Sequence, residues 1–121
     1  MVQDQESALA FYTEILGFRK MADLSMGEFR WLTVVSPDGI EGVELVLEPI
    51  GFEPAQVYQK AMLDASIPAL ALITSNLELD HQKLLGRGVK FRTEPTRMGP
   101  ISSALFEDTC GNVIHLVQPH V

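Results

Sequence analysis

Basic residues are scarce in this chain. Nine Lys and Arg stand against sixteen Asp and Glu, a net charge of −7. That balance repels phosphate backbones and anionic lipid, so nucleic acid and membrane surfaces are poor partners and a neutral or cationic small molecule is a better one. Cysteine is nearly absent: one residue, Cys110, cannot form an intramolecular disulfide, and a reducing cytoplasm is the expected compartment. No apolar run approaches the roughly 20 residues of a membrane span. The polar, acidic start Met1-Val2-Gln3-Asp4-Gln5-Glu6 lacks the character of a signal peptide. A phosphate-binding loop, a dinucleotide fingerprint and a Ser/His/Asp arrangement are also missing. The 121 residues suffice for one domain with a real core.

What the chain does have is a repeat. Met26-Gly27 through Gly39 lies on Met98-Gly99 through Gly111 at a constant offset (98 − 26 = 72). On either side the offset is 71: Leu16-Gly17-Phe18 falls on Arg87-Gly88-Val89, and Val43-Glu44-Leu45-Val46 on Ile114-His115-Leu116-Val117. A duplicated unit of this size cannot bury its apolar face alone, so it pairs with its copy and creates a symmetric cleft. The expected architecture is α+β: one domain over 1–121, with repeat one at 1–48, a connector at 49–67 and repeat two at 68–121. The two repeats are βαβββ units related by a pseudo-two-fold.

Local patterns place the elements. Apolar residues at Ala8, Leu9, Phe11, Tyr12, Ile15 and Leu16 predict a helix over Glu6–Leu16, stopped by Gly17. Strands are expected at Phe18–Leu24, Phe29–Val35 and Val43–Leu47, the last alternating with Glu44, Val46 and Glu48 on one face. The connector holds a short helix over Ala55–Ala65. Repeat two follows as strand Ala69–Thr74, helix Leu77–Leu85, and strands Val89–Thr93, Ile101–Phe106 and Val113–Gln118. The strand Ala69–Thr74 maps onto positions −2 to 3 (69 − 71 and 74 − 71), so repeat one is expected to lack most of its opening strand.

Two stretches carry a resemblance. Ala8-Leu9-Ala10-Phe11-Tyr12-Thr13-Glu14-Ile15-Leu16-Gly17-Phe18, and the closing Phe106-Glu107-Asp108-Thr109-Cys110-Gly111-Asn112-Val113-Ile114-His115-Leu116, resemble the vicinal oxygen chelate superfamily. That superfamily groups glyoxalase I, bleomycin-resistance proteins and extradiol dioxygenases. One such fold hosts many chemistries. In its metal-dependent members the ligands come from the first and last strand of each unit. The resemblance then implies Glu44 and His115 as the two available ligands, with Ala69 where a His is usual and the fourth position ahead of Met1.

Glu44 and His115 are accordingly the candidate catalytic pair. A carboxylate and an imidazole can ligate zinc, nickel, iron or manganese. They equally make a hydrogen-bonded acid/base pair in a pocket that holds no metal. Two ligands are too few for a tight site, so no retained cofactor is expected. Arg30, Trp31, Thr33 and Glu48 are candidate ligand-binding residues. Only one of Arg30 and Trp31 can look into the cleft, as an anion clamp or a stacking platform respectively. Cys110 reads as a turn residue, His81 as exposed, His120 as terminal, and Arg92 and Arg97 as solvated loop residues. Two functions stay open: a metal-free protein that binds a small organic molecule, and a divalent-metal lyase, isomerase or dioxygenase of the glyoxalase type. The apolar helix stripe above a shortened sheet predicts a homodimer.

Overall fold

The computed structural model describes residues 1–120. It is an α+β structure with two compact units, Met1–Val57 and Tyr58–Val121.

In the first unit, helix α1 (Gln5–Ala10) starts at Asp4, whose carboxylate accepts the Ser7 amide at 2.8 Å. It continues into a π-helical turn over Phe11–Ile15, in which the Leu16 amide reaches back five residues to the Phe11 carbonyl. The wide turn lets consecutive Phe11 and Tyr12 both enter the core, their rings packed edge to face at 5.7 Å. Gly17, at φ 85°, ends the segment. The expected helix is present, but its spacing hid the change of pitch.

Strands β1 (Arg19–Met26), β2 (Phe29–Val35) and β3 (Leu45–Val46) form an antiparallel sheet in the order β1-β2-β3. Leu32 and Val34 are 0% exposed and lie on the side of β2 that α1 covers. Gln5 joins the two elements: its side-chain amide accepts from the Arg30 amide and donates to the carbonyls of Arg30 and Leu47. It thus stands in for strand backbone where β3 has run out. The opening strand is reduced to one parallel bridge, Val2 to Pro49, with the Val2 amide on the Glu48 carbonyl at 2.7 Å.

The next helix, α2 (Glu53–Asp64), carries the boundary between the units. In the second unit β4 (Leu70–Ile73), β5 (Thr96–Met98), β6 (Ile101–Glu107) and β7 (Val113–Pro119) form a sheet in the order β4-β7-β6-β5. β4 runs parallel to β7 and the other pairs are antiparallel. Helix α3 (Leu77–Gly86) is capped by Asn76 and buries Leu77 and Leu84. Phe106, Ile114, Ala104 and Leu116 provide the sheet side of that core. The turn after β6 is organised by buried Asp108, whose carboxylate accepts the amides of Cys110 and Asn112 and the Asn112 side chain.

Four expectations are corrected. The strand expected at Val43–Leu47 is only Leu45–Val46. The strand expected at Val89–Thr93 reduces to one bridge between Phe91 and Phe106, and ladder pairing resumes at Thr96. Arg92 and Pro95 explain that gap. Proline has no amide to give a ladder, and Arg92 turns its guanidinium onto the Leu63 carbonyl, the Ser66 hydroxyl at 2.9 Å and Glu107 at 3.2 Å. Arg92 is therefore a half-buried tie rather than a solvated loop residue. His81, too, is half-buried, edge to face against Phe91 at 4.4 Å.

Strand pairing also fixes how the two copies correspond. Met26 faces Phe29 as Met98 faces Ile101, which is the offset of 72 (98 − 26). In the last strand, Val46 faces Thr33 and His115 faces Leu105, an offset of 69 (115 − 46) rather than 71. The counterpart of His115 is therefore Val46. The loop between β2 and β3 is longer than its copy and displaces Glu44 from that position.

Candidate functional site

Alternation along β2 separates its candidates. Arg30 lies on the α1 side with Leu32 and Val34; Trp31 and Thr33 lie on the other. The Arg30 guanidinium is taken up by Asp23, through Nε at 2.8 Å and a second nitrogen at 2.6 Å, and by Glu6 at 2.5 Å. The forked pair with Arg30 holds the Asp23 carboxyl down to about 2, and the two carboxylates raise Arg30 in turn. The described bonds of the Arg30 guanidinium all go to the fold's own carboxylates.

The opposite side of the same sheet is apolar and open. Cross-strand pairing sets Leu24 beside Trp31 and Met26 beside Phe29. Their exposures, 60% and 45%, 63% and 43%, are far above those of a packed sheet face. At one end of this row the polarity changes. Thr33 is buried; its hydroxyl accepts the Ala22 amide at 3.1 Å and donates to the Glu44 carboxylate at 2.6 Å. The Ala22 amide is available because β1 has a bulge between Lys20 and Ala22. Glu44 is exposed and so keeps acceptor capacity beyond Thr33. Glu48 is exposed at the end of the same chain segment.

His115 occupies the second unit, in the middle of β7, between Ala71 of β4 and Leu105 of β6. It is half-buried and hydrogen-bonds no described residue. Its side of the sheet is the one away from α3, shared with Ala71. Neither Ala69 nor Ala71 offers a donor atom. Among the described residues no three His, Cys, Asp or Glu side chains are grouped as a metal ion needs. The donor set does not fit a catalytic divalent ion of the kind the fold would imply.

Sequence patterns missed three contributors. The apolar row of Leu24 and Met26 was hidden because the bulge breaks the period-two pattern of β1. Gln5 as a backbone substitute has no sequence signature. Glu107 carries no local signal; burial pushes its carboxyl up, but Arg92 and Lys90 outweigh that and hold it below the usual range. No helix among the described residues is long and apolar enough to cross a membrane.

Comparison with known proteins agrees with this geometry. The model of the Glyoxalase/Bleomycin resistance protein/Dioxygenase superfamily matches residues 1–116. The chain is 49% identical to the uncharacterized protein YurT of Bacillus subtilis (strain 168), over 97% of this chain and 92% of YurT. The crystal structure of UcmS2 superposes with a TM-score of 0.82 at 36% identity, covering 96% of this chain and 90% of UcmS2. TnmS3, an antibiotic binding protein from Streptomyces sp. CB03234, superposes with a TM-score of 0.74 at 36% identity, over 98% and 88%.

Proposed function

Starting from the membership of this chain in the Glyoxalase/Bleomycin resistance protein/Dioxygenase superfamily, we propose that it binds a small organic molecule on the open side of the first unit's sheet and retains no metal there. The observation that carries the proposal is the exposed row Leu24, Met26, Phe29 and Trp31. Contiguous apolar surface of this kind marks binding sites. Trp31 supplies a stacking platform. Glu44, held by Thr33, gives the ligand a hydrogen-bond acceptor at one end of the row. His115 belongs to the second unit and is a candidate contact there in its own right, since its ring nitrogens are not engaged by described residues. Arg30 serves the fold, and Glu48 lies at the margin. TnmS3, an antibiotic binding protein of similar fold and 36% identity, supports the same class of activity.

A metal-dependent lyase or dioxygenase is less well supported, because Ala71, opposite His115 on β4, offers no donor atom and neither does Leu105 on its other side. Trp31 is the sole tryptophan, so its emission reports directly on the proposed site. Titration with a panel of planar aromatic compounds is expected to quench or shift that emission saturably. Glu44→Ala is expected to weaken the binding by about tenfold, one charge-assisted hydrogen bond. A panel that leaves Trp31 emission unchanged while calorimetry records binding would move the site elsewhere.

A further inference from the structure

On the α3 side of the second sheet, at the end of β6, lies a polar cluster that the ligand-binding reading does not use. Ser102 Oγ is 2.7 Å from His120 Nε2. The chain after β7 is anchored there by the His120 amide on the Pro100 carbonyl, also 2.7 Å. Cross-strand pairing places Arg97 on one flank of Ser102 and Gln118 on the other, with all three side chains on one face. The Arg97 guanidinium meets no carboxylate among the described residues; its one described bond is from Nε to the Gly99 carbonyl. Gln118 accepts the Leu77 amide through its carbonyl oxygen, which directs the amide nitrogen away from that bond.

We propose that Ser102 and His120 form a nucleophile–base pair that accepts an acyl group from a small carboxylic ester. A serine hydroxyl within hydrogen-bond reach of an imidazole nitrogen is the arrangement that activates serine. The step balances with the groups present. Ser102 Oγ bonds to the ester carbonyl carbon while its proton passes to His120 Nε2, in the tautomer whose other proton is on Nδ1. Arg97 and Gln118, which flank Ser102 on the same face, are the donors available to the negative charge that develops on the carbonyl oxygen. The carbon–oxygen bond to the alcohol then breaks, and the alcohol leaves with the proton from His120. Water, deprotonated by the same imidazole, releases the carboxylic acid and restores Ser102. No carboxylate among the described residues orients the imidazole, so slow turnover with an accumulating acyl-serine is expected.

The test uses the full chain with p-nitrophenyl acetate and, separately, phenylmethylsulfonyl fluoride. A burst of nitrophenolate and a sulfonyl adduct mapped by peptide mass spectrometry to Ser102 are expected. Ser102→Ala should abolish both. His120→Gln, which retains an acceptor for the hydroxyl but no base, should slow adduct formation by about 100-fold. Circular dichroism of both variants keeps a folding defect distinct from loss of the pair. An adduct absent from Ser102, or one that forms at the same rate in His120→Gln, overturns the proposal.

Discussion

Arg30 shows how much one side chain can decide. By alternation it and Trp31 must face opposite ways, and the sequence leaves open which faces the helix. Asp23 and Glu6 settle the matter, because two carboxylates on the α1 side fix the guanidinium there. That choice has a pH signature. The folded-state value of Asp23, about 2, lies below its ordinary value, so the stabilisation is fully present above the ordinary carboxylate range. It is lost as pH falls through about 4 to about 2. Arg30→Gln should flatten that portion of the stability–pH curve, measured by urea unfolding across the acid range. The difference should shrink in high salt, because the pair is exposed. Buried Asp108 is a stronger case. Asp108→Ala strips acceptors from two backbone amides and the Asn112 side chain. Unfolding free energy should fall by about 2–4 kcal/mol on the cost of unsatisfied buried donors.

Elements whose residues follow one period were legible, and those interrupted by side-chain bonding were not. β2, β6 and α3 fall close to where alternation and helical spacing put them. The strand after α3 failed because Arg92 is used to close the end of α2 against β6, a long-range bond no local pattern announces. Arg92→Ala should therefore loosen an element far away in sequence. Hydrogen exchange is expected to rise at the C-terminal turn of α2, residues 60–66, while the β6–β7 ladder stays protected. Glu44 was misplaced for a related reason. The loop ahead of it differs in length between the copies, and only the pairing of Val46 with Thr33 reveals the slip.

For the whole molecule, the duplicated order of helix, strands and Met-Gly turns carried the fold class into view, because burying a repeated apolar face leaves few architectures. Function was far less legible, since the binding surface proposed here depends on which residues a single bulge turns outward. The open apolar row also bears on assembly. We expect the chain to form a homodimer, with light scattering giving a mass twice the 13.4 kDa chain over a range of concentrations. A mass equal to one chain throughout that range would remove this expectation.

The bulge in β1 has an effect on how such a sheet can change over generations. Between Val34 and Trp31 on β2, the first unit spends Lys20 to Leu24 on its neighbouring strand, one residue more than strict pairing requires. The second unit spends Phe91 to Thr96 on the matching stretch, two residues more. Both copies absorb surplus chain at the same place, and the Met-Gly hairpins beyond it still pair alike. A residue can thus be gained or lost there without exchanging inner and outer side chains downstream. Deleting Met21 should leave Leu24 and Met26 facing outward, because Lys20 and Ala22 then follow one another in regular register opposite Val34 and Thr33. Lineages can therefore vary the length of this strand while each face keeps its chemistry, so insertions and deletions become ordinary raw material for divergence between the two halves.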